Sequence, residues 1–354
     1  MKIFHCDHCE NLVFFENIRC LRCDHALAYL PDVSDLGSLE PAGEKLWRSP
    51  IGLGRRTYRL CANYSLENVC NWAIPAGDSD PLCQSCRLTR VIPDLTQAGN
   101  KEAWYRLEVA KRRLVYSLAA LGLPVQNKED DPARGLAFEF LSDTATTEDK
   151  PVLTGHANGV ITISIAEADD VEREKRRLAM HEPYRTLLGH FRHEIGHYYW
   201  DRLIQGSERL DAFRALFNDE QTDYQEALQN HYERGAPADW QQNYISAYAS
   251  AHPWEDWAES WAHYLHMTDT LETAAATGLS LKPRRRDEPT LKAAKALPVQ
   301  GSIDQMVENW LSLTYLLNNL NRGLGLPDGY PFVLSQAVIE KLRFIHERVG
   351  ECAE

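Results

Sequence analysis

Three features of the sequence predict an α+β fold. Eight of the nine cysteines lie in the first 95 residues, amid short strand- and turn-like stretches. Two segments between residues 136 and 165 have the look of strands, the second alternating at period two. The rest of the chain carries the apolar spacing of helices almost throughout. The expected organisation is therefore a cysteine-rich region over 1–95 and a mostly helical region with a small sheet over 96–354.

In the first region, Cys6-x2-Cys9 and Cys20-x2-Cys23 form two knuckles ten residues apart. Four soft thiolates so spaced can surround one zinc ion tetrahedrally, and iron is the other metal that takes this ligand set. Cys61, Cys70, Cys83 and Cys86 form a second, less regular set in which only the last pair is CxxC. Structural zinc is expected at both sets, as in zinc-ribbon modules, with a redox pair or buried free thiols as the alternative. His5, His8 and His25 flank the first set without being needed to complete it, and Cys352 stands apart near the C-terminus. Residues 31–56 are rich in Gly, Pro and Ser and read as a loop or connector. Apolar residues are few in this region, so metal is expected to supply much of its folding energy.

From Asn100 to about Leu121 the apolar spacing is helical, and Gly122 and Pro124 stop it. LAFEFLSD and HANGVITISIAEAD then read as strands, with Asn158-Gly159 as a turn and Val160 to Ile165 alternating. The next helix is expected from Pro183, well placed in a first turn, to about Ile204, with Gly206 as its stop. A link, LKPRRRDEP, precedes the last helices, which include MVENWLSLTYLLNNLNRG and SQAVIEKLRFIHERV.

The helix after the strands contains His193-Glu194-Ile195-Gly196-His197. On a helix, positions i and i+4 share a face, so both imidazoles can reach one zinc ion. Glu194 then lies beside the open coordination position, where a carboxylate can act as general base. Trp200 and Leu203 stand where a metzincin needs Gly and a third His, which excludes that branch. Further along, HPWEDWAESWAHYLH can open a helix at Pro253. That helix places Glu255 and Glu259 on one face, with Asp256 turned elsewhere. On spacing alone, either glutamate could be the third ligand. An oxyanion donor is also needed. Tyr248, seven residues before Glu255, and His263, one turn beyond Glu259, are the candidates, with Tyr244 third. His190 is one turn before His193, and neither His252 nor His266 has an assigned role.

HEIGH followed by EDWAE resembles the gluzincin pattern, HExxH followed by ExxAE or ExxAD. The chain resembles bacterial zinc-binding metallopeptidases with an N-terminal zinc ribbon, and GVITISIAEADD, WAHYLH and YPFVLS extend that likeness over nearly its whole length. The resemblance implies a zincin-like catalytic domain with Glu255 as ligand and Glu259 as the carboxylate that orients a zinc-bound histidine. Likeness to gluzincins of the lethal-factor type favours Tyr248 as the oxyanion donor. Zincins bind extended peptide along an edge strand, so the resemblance also implies that Val160 to Ile165 lies near the cleft, with a plain internal strand as the alternative. The expected activity is peptide hydrolysis through zinc-activated water with Glu194 as base. One catalytic and two structural zinc ions are expected. The alternative is a catalytically silent adaptor that uses its ribbons for protein–protein interaction.

Composition narrows the partners. The formal net charge is −13, and up to Asp94 ten Lys and Arg stand against twelve Asp and Glu, a difference of −2. Neither figure provides the basic patch that binds nucleic acid or an anionic membrane. No apolar run reaches the roughly 20 residues that span a bilayer, and the N-terminus has no signal-peptide pattern, so a cytoplasmic location is expected. A peptide or protein is the expected substrate.

Overall fold

The computed structural model describes residues 1–52, 56–142, 152, 154–179, 185–292 and 301–353. Its first elements are β1 (Phe4–His5) and β2 (Leu12–Val13), which pair antiparallel across the first cysteine knuckle. A five-stranded antiparallel sheet follows, in sequential order: β3 (Ala26–Leu30), β4 (Asp35–Gly43), β5 (Leu46–Arg48), β6 (Thr57–Leu60) and β7 (Ala73–Pro75). One helical turn, α1 (Ala62–Ser65), lies between β6 and β7 and starts directly after Cys61.

Two expectations fail in this region. Residues 31–56 are not a connector, because β4 and β5 form the middle of the sheet. The Gly and Pro that suggested a loop have other uses. A Cβ at Gly37 would lie 2.3 Å from Ser49 Oγ, and the register shifts between Pro41 and Gly43, where a bulge absorbs the proline. The apolar supply is also not thin once the whole chain is folded. Phe4, Phe15, Tyr29 and Trp72 join Tyr116 and the rest of the helical region in one continuous buried cluster.

β8 (Thr89–Val91) leaves the second cysteine set and enters a four-stranded sheet of order β10-β11-β9-β8. Before the other strands comes α2 (Asn100–Ala120), which ends where Gly122 takes φ +69°. β9 (Ala137–Leu141) pairs parallel with both β8 and β11 (Val160–Ser164), and β10 (Gly155–Ala157) pairs antiparallel with β11. Asn158 and Gly159 both have positive φ, the two-residue turn that joins a hairpin. The alternating strand is thus internal, the alternative to an edge strand, and among the described residues β10 is the outer strand beside it.

The remaining elements are mostly helical: α3 (Asp170–Ala179), α4 (Leu187–Leu203), α5 (Leu210–Phe217), α6 (Tyr224–Arg234), α7 (Pro253–Ala276), α8 (Ile303–Gly323) and α9 (Gln336–Ala353). A short hairpin of β12 (Ser280–Leu281) and β13 (Leu291–Lys292) brackets the Arg-rich link. Pro183 lies outside the described residues. α4 begins at Leu187, where Thr186 caps it by accepting from the Gly189 N–H at 3.0 Å. α7 opens on Pro253 behind an N-cap at His252. No described helix is long and apolar enough to cross a membrane.

α4 and α7 pack against each other at Gly196. A Cβ there would lie 2.9 Å from the Ala258 Cα and 3.2 Å from the Trp261 Cβ, so only glycine permits this approach. Trp257 Nε1 donates to the Gly196 carbonyl at 2.8 Å and fixes the crossing. The glycine and alanine inside the two sequence motifs are therefore packing residues that set the distance between the motifs.

Candidate metal centre

α4 carries His193 and His197 one turn apart, and α7 carries Glu255 and Glu259 likewise, so the close crossing brings the two pairs together. His193 Nε2 is 3.2 Å from His197 Nε2 and 3.0 Å from Glu255 Oε2. His197 Nε2 is 3.6 Å from the same oxygen. Ligands at about 2.0–2.1 Å from a tetrahedral zinc ion stand about 3.3 Å from one another, so this triangle has the size zinc requires. Glu255 is 1% exposed, and its Oε2 is buried without a hydrogen-bond donor. Such an oxygen is costly unless a cation faces it, which is the observation that fits a metal ion here.

The surrounding groups prepare the same charge. His193 Nδ1 lies 2.8 Å from Glu259 Oε1, and a proton on Nδ1 leaves the Nε2 lone pair free for metal. Glu259 Oε2 accepts from Ser246 Oγ at 2.6 Å. Burial alone would raise the Glu255 carboxyl, but His197 and His193 outweigh it and hold Glu255 well below the usual range. Burial would likewise lower His193, yet Glu255 and Glu259 hold it well above its ordinary value. A pocket that draws a proton so strongly favours positive charge, whether proton or metal ion.

Glu194 follows His193 on α4 and is largely buried, and its carboxylate accepts no hydrogen bond from any described residue. The Tyr248 ring centroid is 6.0 Å from that of His193, and burial, with Glu255 nearby, keeps its phenol protonated. His263 is placed differently from its expected role as oxyanion donor. It is turned into the core, its Nδ1 paired with Tyr330 Oη at 2.8 Å and its ring 4.4 Å from Phe332. One helical turn beyond Glu259, it has rotated away from the triangle. Tyr244 faces the Lys341 ammonium at 4.5 Å, and Asp256 is buried in an ion pair with that same lysine at 2.6 Å. His190 pairs with Glu167 at 3.1 Å, and His266 Nδ1 meets Arg192 at 3.2 Å.

Two contacts escaped the sequence. Tyr224 Oη donates to Glu255 Oε1 at 2.6 Å, and Ser246 holds Glu259. Tyr224 lies 31 residues before Glu255 in an unremarkable helix, and no spacing rule points to it. Ser246 is two residues before Tyr248, close enough to have been considered with it.

Both cysteine sets also assemble. Sγ atoms of Cys6 and Cys23 are 3.6 Å apart, those of Cys9 and Cys20 are 3.6 Å apart, and those of Cys70 and Cys83 are 3.7 Å apart. Thiolates about 2.3 Å from a tetrahedral zinc ion stand about 3.8 Å apart, which matches. Cys61 and Cys86 complete the second set, all of it buried. Backbone N–H groups of Trp72, Cys83 and Cys86 point at its sulfurs, and Arg112 of α2 is buried beside it with a hydrogen bond to the Val69 carbonyl. His8, His25 and Glu40 also cluster, but the imidazoles stack at 3.8 Å with planes 27° apart.

Residues 100–348 match the family model described as "Putative zinc-binding metallo-peptidase", and residues 3–97 match a zinc-ribbon domain. Uncharacterized proteins of Mycobacterium bovis and of two strains of Mycobacterium tuberculosis are each 44% identical over 354 residues, covering 100% of this chain and 96% of theirs. No solved structure matches the chain. A zinc-ribbon region joined to a helical domain with a small sheet, matched over most of its length, places this chain in the zinc-binding metallo-peptidase family.

Proposed function

We propose that the protein hydrolyses peptide bonds at the site formed by His193, His197 and Glu255. The observation that carries this reading is the pairing of a ligand triangle of zinc dimensions with Glu194, the largely buried residue next to His193 on α4, whose carboxylate accepts no hydrogen bond from a described residue. A structural metal site has no use for an unengaged base beside it.

A zinc ion held there would polarise a peptide carbonyl and make an attacking water more acidic. Glu194 takes the proton from that water and passes it to the departing amine nitrogen. Tyr248 donates its phenolic proton as a hydrogen bond to the oxygen that becomes negative as the carbonyl is attacked. Glu259 holds His193 in the tautomer and orientation that expose Nε2, and Ser246 fixes Glu259 in turn. Among the described residues, the sheet edge near the site with which an extended peptide could pair is the outer side of β10, where His156 stacks parallel to His197 with centroids 6.4 Å apart. The two cysteine sets would each hold one further zinc ion, for three per chain.

The test is hydrolysis of a peptide library by the purified full chain, with and without a zinc chelator. Cleavage that the chelator abolishes and added zinc restores supports the reading. Cleavage insensitive to the chelator would contradict it.

A further inference from the structure

Glu255 is buried to the last percent, so each of its oxygens needs a partner. Oε2 faces the two imidazoles and has no donor. Oε1 has one, the Tyr224 phenol at 2.6 Å, a short hydrogen bond of the kind a charged acceptor makes.

The helix that supplies this phenol has little other reason to be there. α6 buries none of its residues and meets the site through Tyr224 and through His231, whose ring lies 5.9 Å from that of Tyr248. Tyr224 begins that helix, next to the Asp223 cap, and its ring packs on His252 at 5.1 Å and Trp254 at 5.9 Å. His252 and Trp254 lead directly into Glu255. The phenol is therefore held by the same short segment that carries the carboxylate it engages.

We infer that Tyr224 is a positioning residue that restricts Glu255 to one-oxygen ligation. A carboxylate can bind a metal through one oxygen or two. With Oε1 held by Tyr224, only Oε2 would be available to a bound ion, leaving room for a substrate carbonyl or water. Without the phenol, Oε1 would be an unsatisfied buried acceptor, free to serve as a second ligand atom. This inference rests on the reading of His193, His197 and Glu255 as the metal site.

The experiment uses the full chain with cobalt(II) exchanged into the histidine site, because cobalt absorption reports coordination number independently of turnover. The parent should show the intense visible bands of four-coordinate cobalt. Tyr224→Phe, nearly isosteric, should lower their intensity by about threefold as a fifth donor enters. It should also weaken zinc binding by about 10- to 100-fold, the scale of a lost outer partner. Circular dichroism should be unchanged. A weakened affinity with the four-coordinate spectrum intact would reduce Tyr224 to a structural support and overturn the inference. So would a variant identical to the parent in both measurements. Retention in His193→Ala of the cobalt bound beyond that of the two cysteine sets would instead overturn the site reading itself, and this inference with it.

Discussion

Glu259 Oε1 lies 2.8 Å from His193 Nδ1, while Glu255 Oε2 lies 3.0 Å from Nε2 of the same ring. One imidazole thus separates two carboxylates that occupy equivalent positions on their helix. Glu255 is on the side shared with His197, and Glu259 is on the far side. Glu255→Ala leaves two histidines, too few protein ligands for a firm site, and should empty it at ordinary zinc concentrations. Glu259→Ala removes only the group that orients His193 and should weaken binding by about 10- to 100-fold while leaving the site able to fill. Zinc titration of the two variants, with the cysteine sites as internal reference, distinguishes them. Equal losses would contradict the division of roles.

Glu194→Gln keeps size and shape but removes the base. Hydrolysis should fall by at least about a hundredfold, the usual scale for general base catalysis, with zinc content unchanged. Steady-state rates on a cleaved peptide and metal analysis of the same sample check both halves. A variant as fast as the parent would place catalysis elsewhere.

Tyr248→Phe removes one hydrogen bond to the developing oxyanion. Because that contact is made in the transition state, kcat should fall by about a hundredfold with KM nearly constant. A rise in KM alone would mean that Tyr248 only helps to bind substrate.

Asp256→Asn tests stability apart from chemistry. Asp256 is fully buried, and Lys341 of α9 reaches it at 2.6 Å, so the substitution leaves a buried ammonium with no carboxylate partner, beside the Asn243 carbonyl and the Tyr244 and Phe217 rings. Unfolding free energy should drop by about 3 kcal/mol, since breaking a buried pair strands one charge. Denaturant titration measures it. A loss within experimental error would show that α9 is not tied to α7 through this pair.

Local spacing made much of this protein legible. HExxH and ExxAE each place two side chains on one helical face, and the 3.6-residue period carries that information directly. The cysteine knuckles are equally local. Long-range relationships were not legible. Nothing near Tyr224 announces that its phenol will meet Glu255, and nothing in WAHYLH says that His263 will turn toward Tyr330. β4 and β5 were hidden because glycine and proline signal loops in general, whereas here Gly37 serves a close approach to Ser49 and Pro41 adjoins a bulge. The internal place of β11 could not be read either, since β10 is only three residues long and alternation does not distinguish edge from centre. Gly196 and Ala258 lay in plain view inside the motifs, but their role in setting the helix crossing depends on both helices at once.

The central claim is that His193, His197 and Glu255 hold a zinc ion beside Glu194. Anomalous diffraction at the zinc absorption edge, from crystals of the full chain, tests it most directly. The predicted result is a peak bonded to both Nε2 atoms and to Glu255 Oε2, in addition to one peak within each cysteine set. A map with peaks only at the cysteines, or with the third peak bonded to Glu259 in place of Glu255, would contradict it.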